Sequence, residues 1–201
     1  MKLHIPADVF KSAVYCASKD KDNKDFNSIP FELGETHYRV VSSNRAVLFV
    51  AELPYTKEDD IEDCDFVYAT IDGIPKRFTG KEFTVEFNGV NAIVNGQEFK
   101  STDNPYLVGV YRRAFPSEFA ELSDSFPYII NGVADAIEEV RKNLGAPYTT
   151  YSFGVNDPFL IEFDTKFKCI LLCMGARINS RGTQEGYKEI KTFIDNQIAI
   201  W

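Results

Sequence analysis

Side chains that could carry out covalent or acid–base chemistry are few in this sequence. The two histidines, His4 and His37, are far apart and each lies in a strand-like run, so a nucleophile–histidine pair is difficult to build. Glu138 and Glu139 are neighbours on a predicted helix, where successive side chains point about 100° apart and do not form an acid–base dyad. No Gly-x-Ser-x-Gly, Walker A, His-Glu-x-x-His or dinucleotide-binding glycine pattern occurs. The sequence therefore predicts a protein that is not an enzyme, with a small hydrolase as the alternative.

The cysteines and acidic residues show no pattern typical of a metal site. There is no Cys-x-x-Cys and no nearby Cys/His cluster, which predicts buried thiols in a reducing compartment for all four cysteines: Cys16, Cys64, Cys169 and Cys173. The acidic segment 57–65 lacks the Asp-x-Asp-x-Asp-Gly spacing of a calcium-binding loop and is predicted to be a solvent-exposed loop. We therefore expect no metal and no cofactor.

Length and charge limit the classes of protein further. The chain has 201 residues, enough for one large domain or two small ones, and a net charge of −8. An acidic protein is not a general nucleic-acid binder unless its basic residues gather on one face. No apolar run reaches the roughly 18 residues that span a bilayer, and no apolar stretch follows Lys2 as in a signal peptide. We expect a cytoplasmic protein with no membrane partner.

The segment Ser42-Ser43-Asn44-Arg45 joins two apolar, strand-like runs and forms an unusual turn. Tight turns between strands favour Gly, Pro or the pair Asn-Gly. Here an arginine follows the turn and directly precedes the apolar residues 46–50. One interpretation is a plain hairpin with a solvent-exposed arginine.

The elements that would position these residues recur in one order. The first unit is predicted as a strand over 1–5, a helix from Pro6 to Ala17, and strands over 26–33, 37–43 and 46–53. The second has a strand over 65–71, a segment over 72–80 too short for a full helix, hairpin strands over 81–87 and 91–101, and a further strand from Tyr106 that leads into a connector stopped by Pro116.

The third unit contains the clearest helix of the chain. Its predicted elements are a strand over 125–130, a helix over 131–145 capped by Asn131 and ended by Gly145, strands over 149–155, 158–164 and 168–178, and an amphipathic tail helix over 187–201. Strand–helix–strand–strand–strand units with antiparallel sheets outside and helices on one face predict an α+β fold.

Three stretches, taken in order, resemble the bacterial sliding clamp, the processivity factor of DNA polymerase. "VVSSNRAVLF" (40–49) is similar to the clamp's Thr-Asp-Gly-His-Arg-Leu-Ala strand–turn–strand. "VYRRAFPSEF" (110–119) resembles the Tyr-Arg-Arg-Val-Leu-Pro connector between the clamp's middle and last domains. Residues 126–178 resemble the closing half of the last domain, whose ending Val-Met-Pro-Met-Arg-Leu falls on residues 173–178.

The resemblance implies a shortened clamp. Residues 1–110 resemble the middle domain, 111–178 the connector plus part of the last domain, and 179–201 form a tail without counterpart. The chain would thus contain three half-domain units, whereas a full clamp subunit has six. Clamp rings are built from twelve such units, which four copies of this chain would supply, so a homo-oligomer is expected. A lone third unit would also need a partner to complete its sheet. The short length suggests a phage or mobile-element version.

In clamps, the turn and the C-terminal segment flank the groove that takes a short apolar peptide from polymerase and other partners. The resemblance implies that one wall here is Val41, Ser42, Ser43, Asn44, Arg45 and Ala46, that the other is Met174, Gly175, Ala176, Arg177 and Ile178, and that Pro116 lies near the rim. Arg45 would then be a polar group at the edge of an apolar pocket, able to orient a bound backbone or carboxylate.

The resemblance also implies a surface that contacts double-stranded DNA through phosphates, without reading sequence. The candidate residues are Lys11, Lys19, Lys21, Lys24, Arg141 and Lys142. Acidic residues interleave with them, so an ordinary mixed-charge surface is the alternative.

The tail ends in a peptide that resembles the ligands of clamp grooves. Gln197, Ile198, Ile200 and Trp201 are similar to the Gln-Leu-x-Leu-Phe peptides, while a tail helix packed on the core is the other interpretation. The function implied by the resemblance is a non-catalytic processivity factor that tethers a DNA polymerase or another DNA-processing protein. The alternative is a ring-less adaptor that binds a host clamp through this tail.

Overall fold

The computed structural model describes residues 1–61, 68–75, 80–102, 105–117, 120–125, 131–154, 157–174 and 184–195. The strands are β1 Lys2–Pro6, β2 Ser28–Leu33, β3 His37–Ser43, β4 Val47–Pro54, β5 Tyr68–Asp72, β6 Glu82–Phe87, β7 Asn91–Val94, β8 Gln97–Lys100, β9 Tyr148–Ser152, β10 Phe159–Phe163 and β11 Lys168–Cys173. The helices are α1 Ala7–Cys16, α2 Tyr106–Val110, α3 Asn131–Leu144 and α4 Gln184–Asp195, with a 3₁₀ helix over Tyr111–Ala114.

The described strands form one antiparallel sheet in the order β1-β6-β7-β8-β5-β2-β3-β4-β11-β10-β9. The strands of the third unit join the first unit where β11 pairs with β4, with Ala51 opposite Cys169. The expectation that this unit needs another chain to complete its sheet is therefore wrong at the β11 edge, because β4 of the same chain pairs there.

The central strands are buried on both faces, which explains their nearly continuous apolar sequences. In β4, Val47, Phe49 and Ala51 enter the core on one face of the sheet, whereas Leu48 and Val50 enter a second core on the opposite face. Side chains alternate across a strand, so each strand of this kind contributes to both cores.

Helices α1 and α3 cover the first face and pack against each other. Their buried residues recur at helical spacing, as Val9, Phe10 and Ala13 in α1 and as Val133 and Ile137 in α3. Gly145 ends α3 as the sequence predicts. Its φ of 61° lies in the left-handed region and its N–H donates to the Arg141 carbonyl oxygen over 2.9 Å.

The second face carries α2, the 3₁₀ helix and α4, whose buried residues Leu107, Tyr111, Ile190 and Ile194 belong to the second core. The prediction of a strand beginning at Tyr106 is wrong. The run "YLVGV" has β-forming residues, but it starts after Pro105 as a helix because Leu107, Val108 and Tyr111 then share the side that packs on the sheet. The predicted domain boundary at residue 110 falls between α2 and the 3₁₀ helix, and the division into domains stays a prediction.

The connection from β5 to β6 contains no helix in its described residues, 73–75 and 80–81, whereas the connection from β1 to β2 contains α1. The predicted strand over 125–130 lies almost wholly outside the described residues. None of the described helices is long and apolar enough to cross a membrane.

Three of the four predicted thiols are buried, at Cys16, Cys169 and Cys173, and burial raises the pKa of each. Cys64 lies outside the described residues.

Candidate functional site: an apolar groove and a lysine-lined cavity

The turn at residues 43–47 contains no glycine and is stabilised by side-chain hydrogen bonds. The Asn44 Oδ1 accepts from the N–H groups of Ala46 and Val47, each over 3.0 Å. The Ser43 Oγ accepts from the Arg45 N–H over 3.1 Å and donates to the Val47 carbonyl oxygen over 2.8 Å. These bonds hold Arg45 at a φ of 75°, a left-handed conformation that non-glycine residues adopt at a cost. The polar residues therefore fix the direction of the arginine.

Arg45 extends along the rim of an apolar groove. Its guanidinium lies 5.2 Å from the ring centroid of Phe26, and its Nη2 donates to the Asn23 Oδ1 over 3.4 Å. Phe26 in turn meets Tyr106 edge to face at 6.2 Å. The aromatic pair holds the cation beside the groove without neutralising it, because neither ring carries a charge.

The groove has a cavity volume of about 250 Å³, and its floor includes Leu48 and Leu172. Four residues of the predicted groove line it, namely Ser43, Arg45, Ala46 and Met174. Met174 is 46% exposed, which leaves a flexible thioether at the open side.

Other predicted groove residues do not line this cavity. Val41 and Ser42 are fully buried in β3, Asn44 stabilises the turn, and Pro116 is not one of the residues that line the cavity. Residues 175–178, with Gly175, Ala176, Arg177 and Ile178, fall outside the described part of the chain. The composition of the peptide groove therefore stays a prediction.

The opposite wall was missed from the sequence. It comes from Tyr106, Leu107, Val110, Tyr111 and Ala114, which are helical. The signal that could have found it is the pair Leu107 and Tyr111, four residues apart after a proline.

A buried network of charges holds the groove wall and the tail helix together. The Tyr111 hydroxyl donates to the Glu32 carboxylate over 3.0 Å and accepts from the Arg39 Nη1 over 3.1 Å. The Arg112 Nη2 pairs with Glu32 at 2.5 Å. Burial raises the pKa of Tyr111, and Glu32 raises it further against the two arginines, so its hydroxyl stays protonated at neutral pH.

The same arginines bind the last turn of α4. The Arg39 Nη2 donates to the Phe193 carbonyl oxygen over 2.6 Å, and the Arg112 Nε donates to the Ile194 carbonyl oxygen over 3.0 Å. Helix C-termini carry unpaired carbonyl groups and partial negative charge. Two cations therefore satisfy the end of α4 beside the groove wall.

A second, larger cavity of about 1550 Å³ lies between the α1–α3 pair, strands β5 and β8, and α2. Five of the six residues predicted to contact DNA line it: Lys11, Lys19, Lys21, Lys24 and Lys142. Arg141, the sixth, does not. It is exposed on α3 and pairs with Glu138 at 2.8 Å, which raises the pKa of Arg141. Lys100 also lines the cavity and was missed, because only the fold brings β8 to this place.

His4 forms a further polar cluster that the sequence did not predict. Its Nδ1 lies 3.4 Å from a Glu82 carboxylate oxygen and 3.7 Å from one of Glu58. Both carboxylates are exposed, and the contact of His4 with Glu82 is a hydrogen bond.

Comparison with known proteins bears on the fold. No protein-family model matches the chain, and no curated protein matches it by sequence. Solved structures do match. The DNA polymerase III beta subunit of Thermotoga maritima superposes with a TM-score of 0.58 and 14% identity, over 89% of this chain and 66% of that one. The chain has the fold of the bacterial DNA sliding clamps.

Two further clamps give the same result. The Helicobacter pylori beta clamp bound to a DNA ligase peptide has a TM-score of 0.60 at 14% identity, over 88% of this chain and 65% of that one. The Bacillus subtilis sliding clamp has a TM-score of 0.56 at 11% identity, over 89% and 65%. The predicted clamp-like α+β fold is confirmed, and the chain spans 66% of the length of the Thermotoga clamp.

Proposed function

We propose that this chain is a clamp-fold tether, which binds a short apolar peptide of a DNA-processing partner in the groove beside Arg45 and contacts DNA through the lysine-lined cavity. The observation that carries the proposal is the groove itself. It lies between the turn at 43–47 and Met174 at the end of β11, and a clamp of the same fold has been solved with a DNA ligase peptide. A DNA polymerase or a ligase is the kind of partner we expect.

The chemistry of the groove suits an apolar peptide. Leu48, Leu107 and Leu172 supply an apolar floor and wall, and burying apolar surface contributes about 25 cal/mol per Å². Met174 can adapt to different anchor side chains. The Arg45 guanidinium can donate to a carboxylate or a backbone carbonyl of the peptide, which would fix its direction.

Binding rather than catalysis fits the groups in the groove. Burial and the Glu32 carboxylate raise the pKa of the groove residue Tyr111, and a neutral phenol is a poor nucleophile. The DNA contact would be of the sequence-independent kind, because lysines act on phosphates as point charges. Its affinity should therefore fall steeply as salt increases.

The test of the groove is the affinity of a labelled Gln-Leu-x-Leu-Phe peptide, measured by fluorescence anisotropy. We expect Met174→Glu to weaken binding about tenfold or more, because a charge would replace an apolar contact. Arg45→Gly should also weaken binding while keeping the free energy of unfolding, since glycine adopts the left-handed conformation without strain.

Val90→Glu is the matched control, because Val90 is 72% exposed and lies between β6 and β7, away from the groove. Equal affinity of the Met174→Glu and Val90→Glu variants for the peptide would contradict the proposal.

The tail suggests a second function, that of an adaptor. Helix α4 ends against Arg112, next to the groove residue Tyr111, and residues 197–201 follow outside the described part of the chain. As an adaptor, the chain would present Gln197, Ile198, Ile200 and Trp201 to the groove of a full-length clamp. Removal of residues 196–201 would then abolish binding to that clamp. If the chain acts only as a tether, the same removal would leave peptide binding in its own groove unchanged.

A closed homo-oligomer would bring the lysine-lined cavities of several copies around DNA. Light scattering behind a sizing column gives the solution mass. A tetramer supports a ring, and a monomer at micromolar concentration supports the adaptor.

A further inference from the structure

The lysine-lined cavity concentrates positive charge in an acidic protein. Six of the 22 basic residues line it, but only three of the 30 acidic ones do. Within the described part of the chain, Lys142 is paired with Glu139 at 3.6 Å, while Lys11, Lys21 and Lys100 make no salt bridge. Their charges are thus available to an anionic ligand.

Aromatic side chains stand among these lysines. Tyr106 is 54% exposed, so much of its ring is accessible from solvent. Tyr15 is partly exposed, with the Lys19 ammonium 5.3 Å from its ring centroid. Phe99 lines the cavity next to Gly73, where a Cβ would meet the ring at 3.6 Å. That distance is an ordinary van der Waals contact, and Gly73 directly follows β5, so the Phe99 ring lies beside the end of that strand.

The size of the cavity argues against a small metabolite. Sites for drug-sized ligands usually enclose about 300–1,000 Å³, and this cavity of about 1550 Å³ is larger. Lysines that follow a phosphate backbone and aromatic rings that accept unpaired bases are the combination used to bind single strands. A duplex hides the faces of its bases, so it would leave the aromatic rings without partners.

We propose that this cavity binds single-stranded nucleic acid, with bases stacked on Tyr106, Tyr15 and Phe99 and phosphates on the lysines. The inference rests on the DNA-binding half of the proposed function and deepens it. Tyr106 also belongs to the wall of the peptide groove, whereas Tyr15, Phe99 and Lys100 line the lysine-lined cavity alone. The inference assigns the cavity to an unpaired strand, such as one that adjoins a duplex.

The test is the affinity of the full chain for a labelled thymidine oligonucleotide of about 20 nucleotides, compared with a duplex of the same length at the same salt. We expect the single strand to bind more tightly. Tyr106→Ala should weaken single-strand binding about fivefold or more, which corresponds to the loss of one stacked base. Tyr106→Phe keeps the ring and should restore the affinity.

Two lysine-to-glutamate variants, which change the net charge equally, serve as test and control. Lys100→Glu should weaken binding, and Lys57→Glu should not, because Lys57 is exposed but does not line the cavity. Equal affinities of wild type and Tyr106→Ala, or equal affinities for single strand and duplex, would overturn the inference. Duplex binding that is sensitive to Lys100→Glu but not to Tyr106→Ala would overturn it and leave the proposed tether intact.

Discussion

Replacing Arg39 by methionine tests the buried network that joins the sheet to the tail helix. The Arg39 side chain is 2% exposed. Its Nε donates to Glu52 over 2.9 Å, and its two terminal nitrogens donate to the Tyr111 hydroxyl and to the Phe193 carbonyl oxygen. Burial alone would lower the pKa of Arg39, but Tyr111, Glu52 and Glu32 outweigh it and raise the pKa. Arg39 is therefore a buried cation that links β4, the 3₁₀ helix and α4.

The expected cost is about 3–5 kcal/mol of unfolding free energy, the range found when one partner of a buried ion pair is removed. Glu52 is 25% exposed and can be hydrated, so its share is small. The larger share comes from the Glu32 carboxylate, 5% exposed and 3.7 Å from Arg39, which loses one of its two neighbouring cations, and from the Phe193 carbonyl oxygen, which loses its donor. Methionine fills part of the volume, so the loss is mainly electrostatic.

Urea unfolding followed by circular dichroism measures the free energy, and hydrogen exchange locates the loss. In the Arg39→Met variant, we expect the backbone amides of α4 to lose more of their protection from hydrogen exchange than those of β3. Arg112→Met serves as the comparison. Because the Arg112 side chain is 22% exposed, its replacement should cost about 1–3 kcal/mol. A loss below about 1 kcal/mol for Arg39→Met, with unchanged exchange in α4, would refute the reasoning.

Two further predictions concern the turn and a buried thiol. Asn44→Ala should lower the free energy of unfolding by about 1–2 kcal/mol, since two backbone N–H groups lose their acceptor; thermal denaturation measures this, and no change would show that water replaces the side chain. Burial raises the pKa of Cys169 from 9.0 to about 12, so between these values the folded state binds a proton that the unfolded state has released. The free energy of unfolding should then fall as pH rises from 9 to 12, by about 1.4 kcal/mol per pH unit for this thiol. Cys169→Ala should remove that part of the slope in urea titrations, and an identical slope in wild type and variant would contradict the assignment.

The sequence predicts the elements whose residues repeat locally. Helix α3 has a strong apolar stripe and a glycine at its end, and the strands of the first unit have unbroken apolar runs, so both were predicted. The run at 106–110 is short and apolar, and local preference does not distinguish a helix from a strand there. Packing of Leu107 and Tyr111 on the sheet decides for the helix.

The residues of the two candidate sites also differ in whether the local sequence reveals them. The turn with Arg45 stands out locally, and the resemblance connects it with Met174. The opposite wall of the groove and the position of Lys100 depend on α2 and β8, which only the three-dimensional arrangement brings into place. The pairing of β4 with β11 links residues more than one hundred positions apart and has no local signal.

That pairing has a consequence for how the protein is made. A growing chain completes β4 long before β11 is synthesised, since Ala51 pairs with Cys169, and contacts of such long range slow folding. Until then β4, with the apolar run Val47–Ala51, has an unpaired edge of the kind that promotes aggregation. The N-terminal half of the protein is therefore expected to need protection, from a chaperone or from the ribosome surface, until residue 173 has emerged.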